Sequence, residues 1–454
     1  MSRRYFPKLK GADARTLAFL TLYQVFEEGA YTNLALQGVF NRFQPPALTR
    51  STVTAMVQGT LARSVTADFI LNQRLSRKME RLQPAVRTVL RLAVWELLWS
   101  NNQNKAAVTN EACLLAEATA NRGAVSLVNA VLRGILREPV NLPTGDLGIR
   151  TGLIPELAGL FKKWYGETAP ALLEALALPP PLVVRARPGV GVKTGVPTAG
   201  GAVFKPAHFM PQAYFLELGE CSVAELPAFK AGEITVQGEA SMLPATLSGL
   251  TAGGLAWDMC AAPGSKTLQL AEQVGPTGLV IAGDIHVSRL GLLQKNRERF
   301  RLAQIKLLEH DATAPLPAGL TDRVDAVLTD VPCSGLGRLA SRPELRFRMT
   351  YDKITGLYPL QHQILCRAGE AVRPGGRLIY STCTLNPAEN EEQVEVFLTE
   401  HKDFEALDIT DLLPQALLDI DPLLQQTAEC GRVTLSPDRH GCEGFFVAVM
   451  ERKR

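Results

Sequence analysis

The spacing of apolar residues divides the chain into a helical first part and a later part in which strands alternate with helices. Between residues 13 and 138, apolar side chains recur every three or four positions, as at Val86, Val89, Leu90, Ala93 and Leu97. Because this period places them on one face of a helix, it predicts an all-helical domain, which we place at residues 1–140. The turn-rich residues 139–148 follow this domain as a linker.

From about residue 250, short β-branched runs alternate with helical periodicity. Such runs predict strands at residues 255–259, 279–282, 326–329 and 377–380, and the run 444–450 predicts a further edge or antiparallel strand. The alternation predicts a doubly wound parallel sheet, a Rossmann-like α/β domain at residues 246–454. Between the two parts, proline- and glycine-rich stretches flank the apolar run 182–184. They predict a small α/β module of ferredoxin or RRM type at residues 151–245.

Length and composition narrow the class of protein. A chain of 454 residues is too long for one hydrophobic core, so several domains are expected. It contains no uninterrupted apolar run of about 18 residues and no signal-peptide pattern at its start, so we expect a cytoplasmic protein without membrane contact. The eight cysteines show no CxxC or Cys/His ligand spacing. This absence argues against a disulfide framework and against a bound metal, and it leaves reduced thiols for chemistry.

The net charge of +3 conceals an asymmetry along the chain. Residues 1–150 contain 19 Lys and Arg against 10 Asp and Glu, which gives +9 there and −6 in the remainder. Basic residues crowd one stretch of this half: Arg74, Arg77, Lys78, Arg81, Arg87 and Arg91. Clustered cations attract polyanions, so RNA or DNA is the expected partner. The alternative is that these cations cover ordinary solvated helix faces.

Two cysteines follow predicted strands directly. Cys333 lies three residues after Asp330 in a turn, and Cys383 lies in the turn that follows the strand at 377–380. Parallel strands direct their carboxyl ends to the same edge of a sheet, so all three side chains are expected to converge there. A lone cysteine is more often a small buried apolar group. A pair of turn cysteines beside an acid favours a functional site.

A third segment, residues 257–267, predicts a strand, a tight turn and a helix start, as at nucleotide-like cofactor sites. Dinucleotide sites need several glycines for close approach to a pyrophosphate, whereas only Gly264 lies in this turn. A cofactor without phosphates, such as S-adenosylmethionine, fits better. Asp284, at the end of the next strand, is a candidate for ribose hydroxyls, and Asp311 is a candidate for the adenine region. Turn or helix capping is the alternative for both carboxylates.

Four ordered motifs carry a family resemblance: DMCAAPGSKT from Asp258, DVPCSGLGR from Asp330, YSTCTLNPAENEEQV from Tyr380 and HGCEGFFVA from His440. Together they resemble the RNA 5-methylcytosine methyltransferases. The helical part, with VNAVLRGILRE from Val128, is similar to the NusB-like RNA-binding domain. This pairing resembles the RsmB (Sun/Fmu) type, which methylates cytosine carbon 5 in bacterial 16S rRNA. Gly238 and Glu443 depart from the family pattern, since aspartate is usual at both positions.

The resemblance implies roles for individual residues. Carbon 5 of cytosine is a poor nucleophile, so a thiolate must first add to carbon 6, and the resemblance assigns that addition to Cys383. Cys333 would assist release of the methylated base, and Asp330 would bind its N3 and exocyclic amine. The cofactor, S-adenosyl-L-methionine, would be bound by the following residues: Cys260, Ala261, Ala262, Pro263, Gly264, Ser265, Lys266, Asp284, Asp311 and Asp330.

Three functions remain open from the sequence. The first is the 16S rRNA methyltransferase, the second is the same chemistry on tRNA or another RNA, and the third is a non-catalytic RNA-binding factor. The intact cysteines, acid and cofactor turn disfavour the third function, and the NusB-like part favours the first by analogy. Arg338 and Arg342 are candidates for phosphate contacts, or else ordinary solvated arginines.

Overall fold

The computed structural model describes residues 6, 9, 13–101, 104–198, 200–219 and 221–454, and the chain forms two compact units. The first unit comprises Met1–Pro179 together with Leu339–Thr350, and the second comprises Pro180–Arg338 and Tyr351–Arg454. Within the described residues, every helix is too short or too polar to pass through a lipid bilayer. The division into three domains stays a prediction.

The first unit is helical, as the spacing predicted. Its helices are α1 Ala14–Glu27, α2 Thr32–Phe43, α3 Ala47–Ala62, α4 Ser64–Asn72, α5 Pro84–Leu98, α6 Lys105–Thr119, α7 Arg122–Arg137, α8 Leu147–Thr151, α9 Pro155–Tyr165 and α10 Ala169–Ala175. The side chain of Asp13 caps α1 by accepting the backbone N–H groups of Arg15 and Thr16. Apolar faces of α1 to α7 form one core. Helical periodicity therefore identified this unit because its apolar positions face a common interior.

The basic residues of the first unit are of two kinds: some form ion pairs between helices, and others are exposed. Arg91 donates to Asp68 at 2.7 Å, with its guanidinium 4.3 Å from the centre of the Phe26 ring. Arg87 forms an ion pair with Glu27. These two arginines therefore stabilise contacts between helices. Three further cations are exposed: Arg77, Lys78 and Arg81.

The stretch Leu339–Thr350 belongs to the helical unit although it follows the Asp330–Arg338 segment in the sequence. Its Glu344 accepts a hydrogen bond from Thr32 at 2.7 Å. Its Arg346 is fully buried and donates to the carbonyl oxygens of Thr151, at 2.7 Å, and of Leu176. Buried polar groups with matched partners fix this stretch within the unit.

A four-stranded antiparallel sheet begins the second unit. Its strands are β1 Val183–Ala186, β2 Val203–Pro206, β3 Ala213–Glu217 and β4 Ile234–Val236, in the order β2-β3-β1-β4. Arg185 of β1 is fully buried and pairs with Glu272 at 2.5 Å. Val183 and Ala213 share an apolar core with residues of the larger sheet. The small sheet therefore shares a core with the larger sheet and its helices within this unit.

The larger sheet has the strand order β10-β12-β9-β8-β5-β6-β7, and β11 also pairs with β12. Its strands are β5 Leu255–Asp258, β6 Leu279–Asp284, β7 Ile305–Glu309, β8 Val324–Asp330, β9 Val372–Thr382, β10 Phe404–Ala406, β11 Arg432–Leu435 and β12 Phe445–Arg452. β5 to β9 are parallel, as predicted. β12 is antiparallel, but it lies between β9 and β10 and is not an edge strand.

Helices of the second unit accompany these strands. They are α11 Pro227–Lys230, α12 Leu243–Thr246, α13 Ser265–Val274, α14 Val287–Phe300, α16 Tyr351–Thr355, α17 Tyr358–Ala371, α18 Glu391–Glu400, α19 Gln415–Ile420, α20 Leu424–Glu429 and α21 Pro437–His440, whereas α15 Leu345–Arg348 belongs to the first unit. β5 pairs with β6 on one side and with β8 on the other. The order in which the chain adds parallel strands to the sheet therefore reverses at β5. Ligands of open α/β sheets bind at the carboxyl ends of strands at such a point.

Candidate active site

The structure brings the two predicted cysteines together. β8 ends at Asp330, β9 ends at Thr382, and Asp330 lies opposite Ser381 in the parallel register. The Sγ atoms of Cys333 and Cys383 are 3.3 Å apart, and the backbone N–H of Cys383 donates to Cys333 Sγ at 3.3 Å. The two thiols therefore face the same point beyond the carboxyl ends of β8 and β9.

A buried carboxylate joins the two turns that carry these cysteines. Ser334, directly after Cys333, donates to Glu389 from its backbone N at 2.8 Å and from its hydroxyl at 2.5 Å. Ser334 Oγ also lies 2.7 Å from the hydroxyl of Thr384, the residue directly after Cys383. Glu389 and Thr384 are fully buried. Because each cysteine is adjacent to a clamped residue, this network connects the two turns that carry the thiols.

Two amides complete the coordination of Glu389. Gln361 of α17 donates to Glu389 Oε2 and to the carbonyl oxygen of Pro332, each at 2.9 Å. Asn386 donates to Glu389 Oε1 at 3.0 Å. Glu389 and Gln361 were not among the predicted site residues, because nothing in the local pattern distinguishes a buried glutamate from the acids that follow it.

The environment of Cys333 keeps it protonated. The hydrogen bond with Cys383 and burial, in that order, raise the pKa of the Cys333 thiol well above its ordinary value. Nearby carboxylates, including Asp330, act in the same direction. Cys333 therefore has an S–H group within hydrogen-bond distance of the Cys383 sulfur.

A cleft opens beside Cys383 at the switch point of the sheet. It encloses about 830 Å³, open solvent included, and its walls include Asp258, Lys266, Asp330 and Cys383. Lys266 Nζ lies 2.7 Å from Asp330 Oδ2, and Ser381 donates to Asp330 Oδ1 at 3.1 Å.

The predicted cofactor turn lines the same cleft. Gly264 has a φ of +107°, and a Cβ there would lie 2.7 Å from Leu293 Cγ, so glycine is required on both counts. Six neighbours of this glycine contribute to the cleft wall: Cys260, Ala261, Ala262, Pro263, Ser265 and Lys266. The turn therefore presents backbone groups and one cation to a ligand.

Asp284 and Asp311 lie outside the cleft wall. Asp284 is buried, and its carboxylate accepts the backbone N–H groups of Ala262 at 3.3 Å and His286 at 2.9 Å. It therefore holds the cofactor turn to the end of β6. Asp311 is exposed, and hydrogen bonds from the backbone and hydroxyl of Thr313 lower its pKa. Both carboxylates therefore make the hydrogen bonds that the capping alternative expects, and their contact with a cofactor stays a prediction.

Asp258 supplies a polar atom that faces the cleft. Its Oδ2 accepts from Thr267 at 2.7 Å, whereas Oδ1 has no partner within hydrogen-bond distance among the described residues. Burial raises the pKa of this carboxyl to about 7. A ligand with an ammonium or hydroxyl group would satisfy Oδ1.

The pKa of Asp258 predicts a pH-dependent stability. Between pH 4 and 7 the unfolded chain loses this proton while the folded state keeps it, so stability falls as the pH rises through that window. The Asp258→Asn variant has no titrating group at this position, so its stability should not fall in this way as the pH rises. We expect its free energy of unfolding, relative to the unaltered protein, to rise by up to about 4 kcal/mol between pH 4 and 7.5, as measured by urea denaturation. The exposed Asp311→Asn variant should show no such rise, and an unchanged difference for Asp258→Asn would contradict the assignment.

Gly238 and Glu443, the two departures from the family pattern, lie against each other. Both line the cleft, and a Cβ on Gly238 would collide with the Glu443 carboxylate. Glu443 Oε1 accepts the backbone N–H of Ser241 at 3.3 Å, and burial raises the pKa of its carboxyl. The longer acid at 443 therefore occupies the space that a side chain at 238 would need.

This packing predicts a compensating pair of substitutions. Gly238→Ala should cost about 1–3 kcal/mol because the Glu443 carboxylate must move, and adding Glu443→Asp should restore at least half of the loss. A double-mutant cycle by urea denaturation measures the coupling. Gly291→Ala, whose added Cβ would meet no atom within 4 Å, is the matched control and should be neutral or slightly stabilising. Additive effects at 238 and 443 would show that the side chains do not compete.

The two candidate phosphate ligands differ in position. Arg338 is exposed and lines the cleft. Arg342 is exposed on the stretch that belongs to the helical unit. Only Arg338 is therefore placed at the cleft itself.

Comparison with known proteins gives matches for both units. The family model described as 16S rRNA methyltransferase RsmB/F matches residues 249–451, and the NusB family model matches residues 12–137. The chain is 31% identical over 449 residues to the "Probable ribosomal RNA small subunit methyltransferase B" of Synechocystis sp., covering 97% of this chain and 99% of the relative. It is 29% identical over 459 residues to the protein of the same description from Bacillus subtilis, covering 98% and 100%.

Solved structures show the same fold. The crystal structure of PH0851 superposes with a TM-score of 0.79 at 22% identity, covering 97% of this chain and 99% of that one. A methyltransferase homologue from Pyrococcus horikoshii superposes with a TM-score of 0.54 at 26% identity, covering 69% and 100%. The helical first unit and the mixed α/β sheet therefore occur together in a known architecture.

Proposed function

Since this chain belongs to the RsmB/F family of 16S rRNA methyltransferases, we propose that it transfers a methyl group from S-adenosylmethionine to carbon 5 of a cytosine in 16S rRNA. The observation that carries this proposal is the pair of thiols 3.3 Å apart, with Cys383 in the wall of a cleft that also contains Asp330. Methylation at a ring carbon needs a nucleophile to activate the ring, and a thiol is the side chain suited to it.

The residues of the cleft fit S-adenosylmethionine. Asp258 offers a carboxylate oxygen without a partner among the described residues, which suits the ammonium or a hydroxyl of this cofactor. The turn at 260–266 and Asp284 behind it would hold the remainder, without the glycine-rich cradle that a pyrophosphate needs. When bound, S-adenosylmethionine supplies an electrophilic methyl group.

The two cysteines would divide the covalent chemistry. The Cys383 thiolate adds to carbon 6 of the cytosine and makes carbon 5 nucleophilic. Cys333 has a raised pKa and its Sγ lies 3.3 Å from the Cys383 Sγ, so it can donate its S–H to the Cys383 sulfur before the addition. After methylation, the proton on carbon 5 passes to a base, the double bond between carbons 5 and 6 forms again, and the carbon–sulfur bond breaks to release the Cys383 thiolate. Cys333 can be that base once its own thiol proton has passed to solvent. Cys333, adjacent to Cys383, is positioned to promote this elimination.

Asp330 would orient the base and balance its charge. Its carboxylate can accept a hydrogen bond from the exocyclic amine of cytosine. It can also accept a hydrogen bond from N3–H once the adduct is protonated at N3. Uracil has no exocyclic amine, so this contact selects cytosine. The 2.7 Å pair with Lys266 holds the carboxylate at the cleft wall before the base arrives. The base must leave its stack to reach this position.

The helical unit supports an RNA substrate. It matches the NusB family model and exposes Arg77, Lys78 and Arg81. Exposed cations of this kind contact phosphates without reading sequence, so they position the RNA and leave selection of the cytosine to the cleft. The same chemistry on tRNA is the second candidate, because the cytosine pocket would be alike.

Bisulfite sequencing of total RNA from cells with and without the gene tests this function. We expect loss of methylation at one 16S rRNA cytosine, restored by the unaltered gene and not by Cys383→Ala. Loss at a tRNA cytosine instead would establish the second candidate. If no cytosine in any RNA changed, the methyltransferase assignment would be overturned.

A further inference from the structure

Outside the cleft, three side chains with metal-binding atoms converge on one point. They are His362 and Cys366 of α17 and Glu400, the last residue of α18. His362 Nε2 lies 3.0 Å from Glu400 Oε2 and 3.5 Å from Cys366 Sγ. All three ligand atoms lie within 4.8 Å of one another.

Two of the three separations between ligand atoms match those of a tetrahedral site. Zinc bonds of about 2.0–2.3 Å place neighbouring ligand atoms roughly 3.3–3.7 Å apart, close to the two separations in the structure. His362 and Cys366 are four residues apart, so the helix turns both side chains to the same face. Their backbone positions are fixed by α17, which reduces the cost of assembling the site.

We propose that His362, Cys366 and Glu400 bind one zinc ion, with water as the fourth ligand. Imidazole, thiolate and carboxylate together match a metal of intermediate softness and suit zinc better than magnesium or calcium. The Cys366 thiol loses its proton to solvent as the sulfur–zinc bond forms. His362 and Glu400 are partly exposed, at 30% and 52% of their side chains, so the ion has a route from solvent.

The site differs from a closed structural zinc centre. It has three protein ligands, and His362 Nδ1 has no hydrogen-bond partner among the described residues. Because an oriented second nitrogen strengthens a histidine ligand, we expect weaker binding than at a four-ligand centre. No local sequence pattern marks this set, since the third ligand lies 34 residues beyond Cys366.

A bound ion would connect the two helices that hold the cysteine turns. Gln361, adjacent to His362 on α17, donates to Glu389, and α18 begins two residues after Glu389. Zinc would therefore join the last residue of α18 to α17. These are the two helices next to the Glu389 network. The expected consequence is a raised melting temperature of the full-length protein.

Cobalt substitution tests the proposal directly. Titration of the full-length, reduced and metal-free protein with Co²⁺ should produce a thiolate-to-cobalt absorption band that saturates near one equivalent. The band should disappear on addition of Zn²⁺, and it should be absent in Cys366→Ser. In His362→Gln, or in the more exposed Glu400→Gln, the affinity for Co²⁺ should fall at least tenfold. Melting curves with and without Zn²⁺ provide the second measurement.

The other close pair of thiols supplies the matched control. The Cys333→Ser, Cys383→Ser double variant should retain the cobalt band. If this double variant lost the band while Cys366→Ser kept it, the metal would be assigned to the cysteine turns. Absence of a thiolate band in the unaltered protein would also overturn the proposal. A band with no zinc-dependent shift in melting temperature would contradict the proposed link between the helices.

Discussion

Replacement of Cys383 by alanine is expected to reduce methyl transfer at least ~10³-fold, because cytosine carbon 5 is not nucleophilic until a thiolate has added to carbon 6. Transfer of a labelled methyl group from S-adenosylmethionine to 16S rRNA measures the loss. The exposed Cys430→Ala variant is the matched control and should keep full activity. Since Cys383 borders the cleft and is not part of a closed core, Cys383→Ala should fold, as its melting curve will report.

The Cys333→Ala variant should behave differently from Cys383→Ala. It keeps the nucleophile but lacks the group positioned to promote elimination, so a covalent protein–RNA complex should accumulate. A denaturing gel detects this complex as a slower band that ribonuclease removes. The Cys333→Ala, Cys383→Ala double variant should show no such band. A stable complex with Cys383→Ala alone would assign the nucleophile to Cys333 instead.

Sequence reasoning could place Cys333, Cys383 and Asp330 together because strand position carries the information. Each lies at or directly after the end of a β-branched run, and parallel strands put those ends at one edge of the sheet. β8 and β9 are neighbours in the sheet, and the two sulfurs that follow them lie 3.3 Å apart. The same logic identified the helical unit, since its periodic apolar positions share one core.

Features that depend on long-range packing could not be predicted in this way. Leu339–Thr350 lies in the helical unit because its polar residues, including Arg346, find partners there, and no local pattern indicates those partners. β12 is central because β10 and β11 cover its outer side. The carboxylate of Asp311 accepts hydrogen bonds from Thr313 two residues later, and its contact with a cofactor stays a prediction.

The role of Glu389 is visible in the structure but could not be predicted from the sequence. In the sequence it is one of several acids after Cys383. In the structure it is fully buried and accepts hydrogen bonds from Ser334, Gln361 and Asn386. It therefore connects the turn of Cys333, the turn of Cys383 and α17, and its removal should affect stability and activity together.

Glu389→Ala should lower the free energy of unfolding by about 3–5 kcal/mol, because several buried donors lose their acceptor at once. Glu389→Gln keeps the shape and one acceptor, so a smaller loss is expected. Urea denaturation measures both, and Glu392→Gln, an exposed acid three residues later, should change stability by less than about 0.5 kcal/mol.

The effect of Glu389→Gln on activity separates positioning from stability. If the network sets the separation of the thiols, the folded variant should lose roughly 10- to 100-fold in kcat at a temperature well below its melting point, with a smaller change in KM for the RNA. The rate at which the two cysteines are joined by a mild thiol oxidant should fall in parallel, since that reaction requires adjacent sulfurs. A stable Glu389→Gln protein with unchanged kcat and unchanged oxidation rate would show that β8 and β9 position the thiols without the carboxylate.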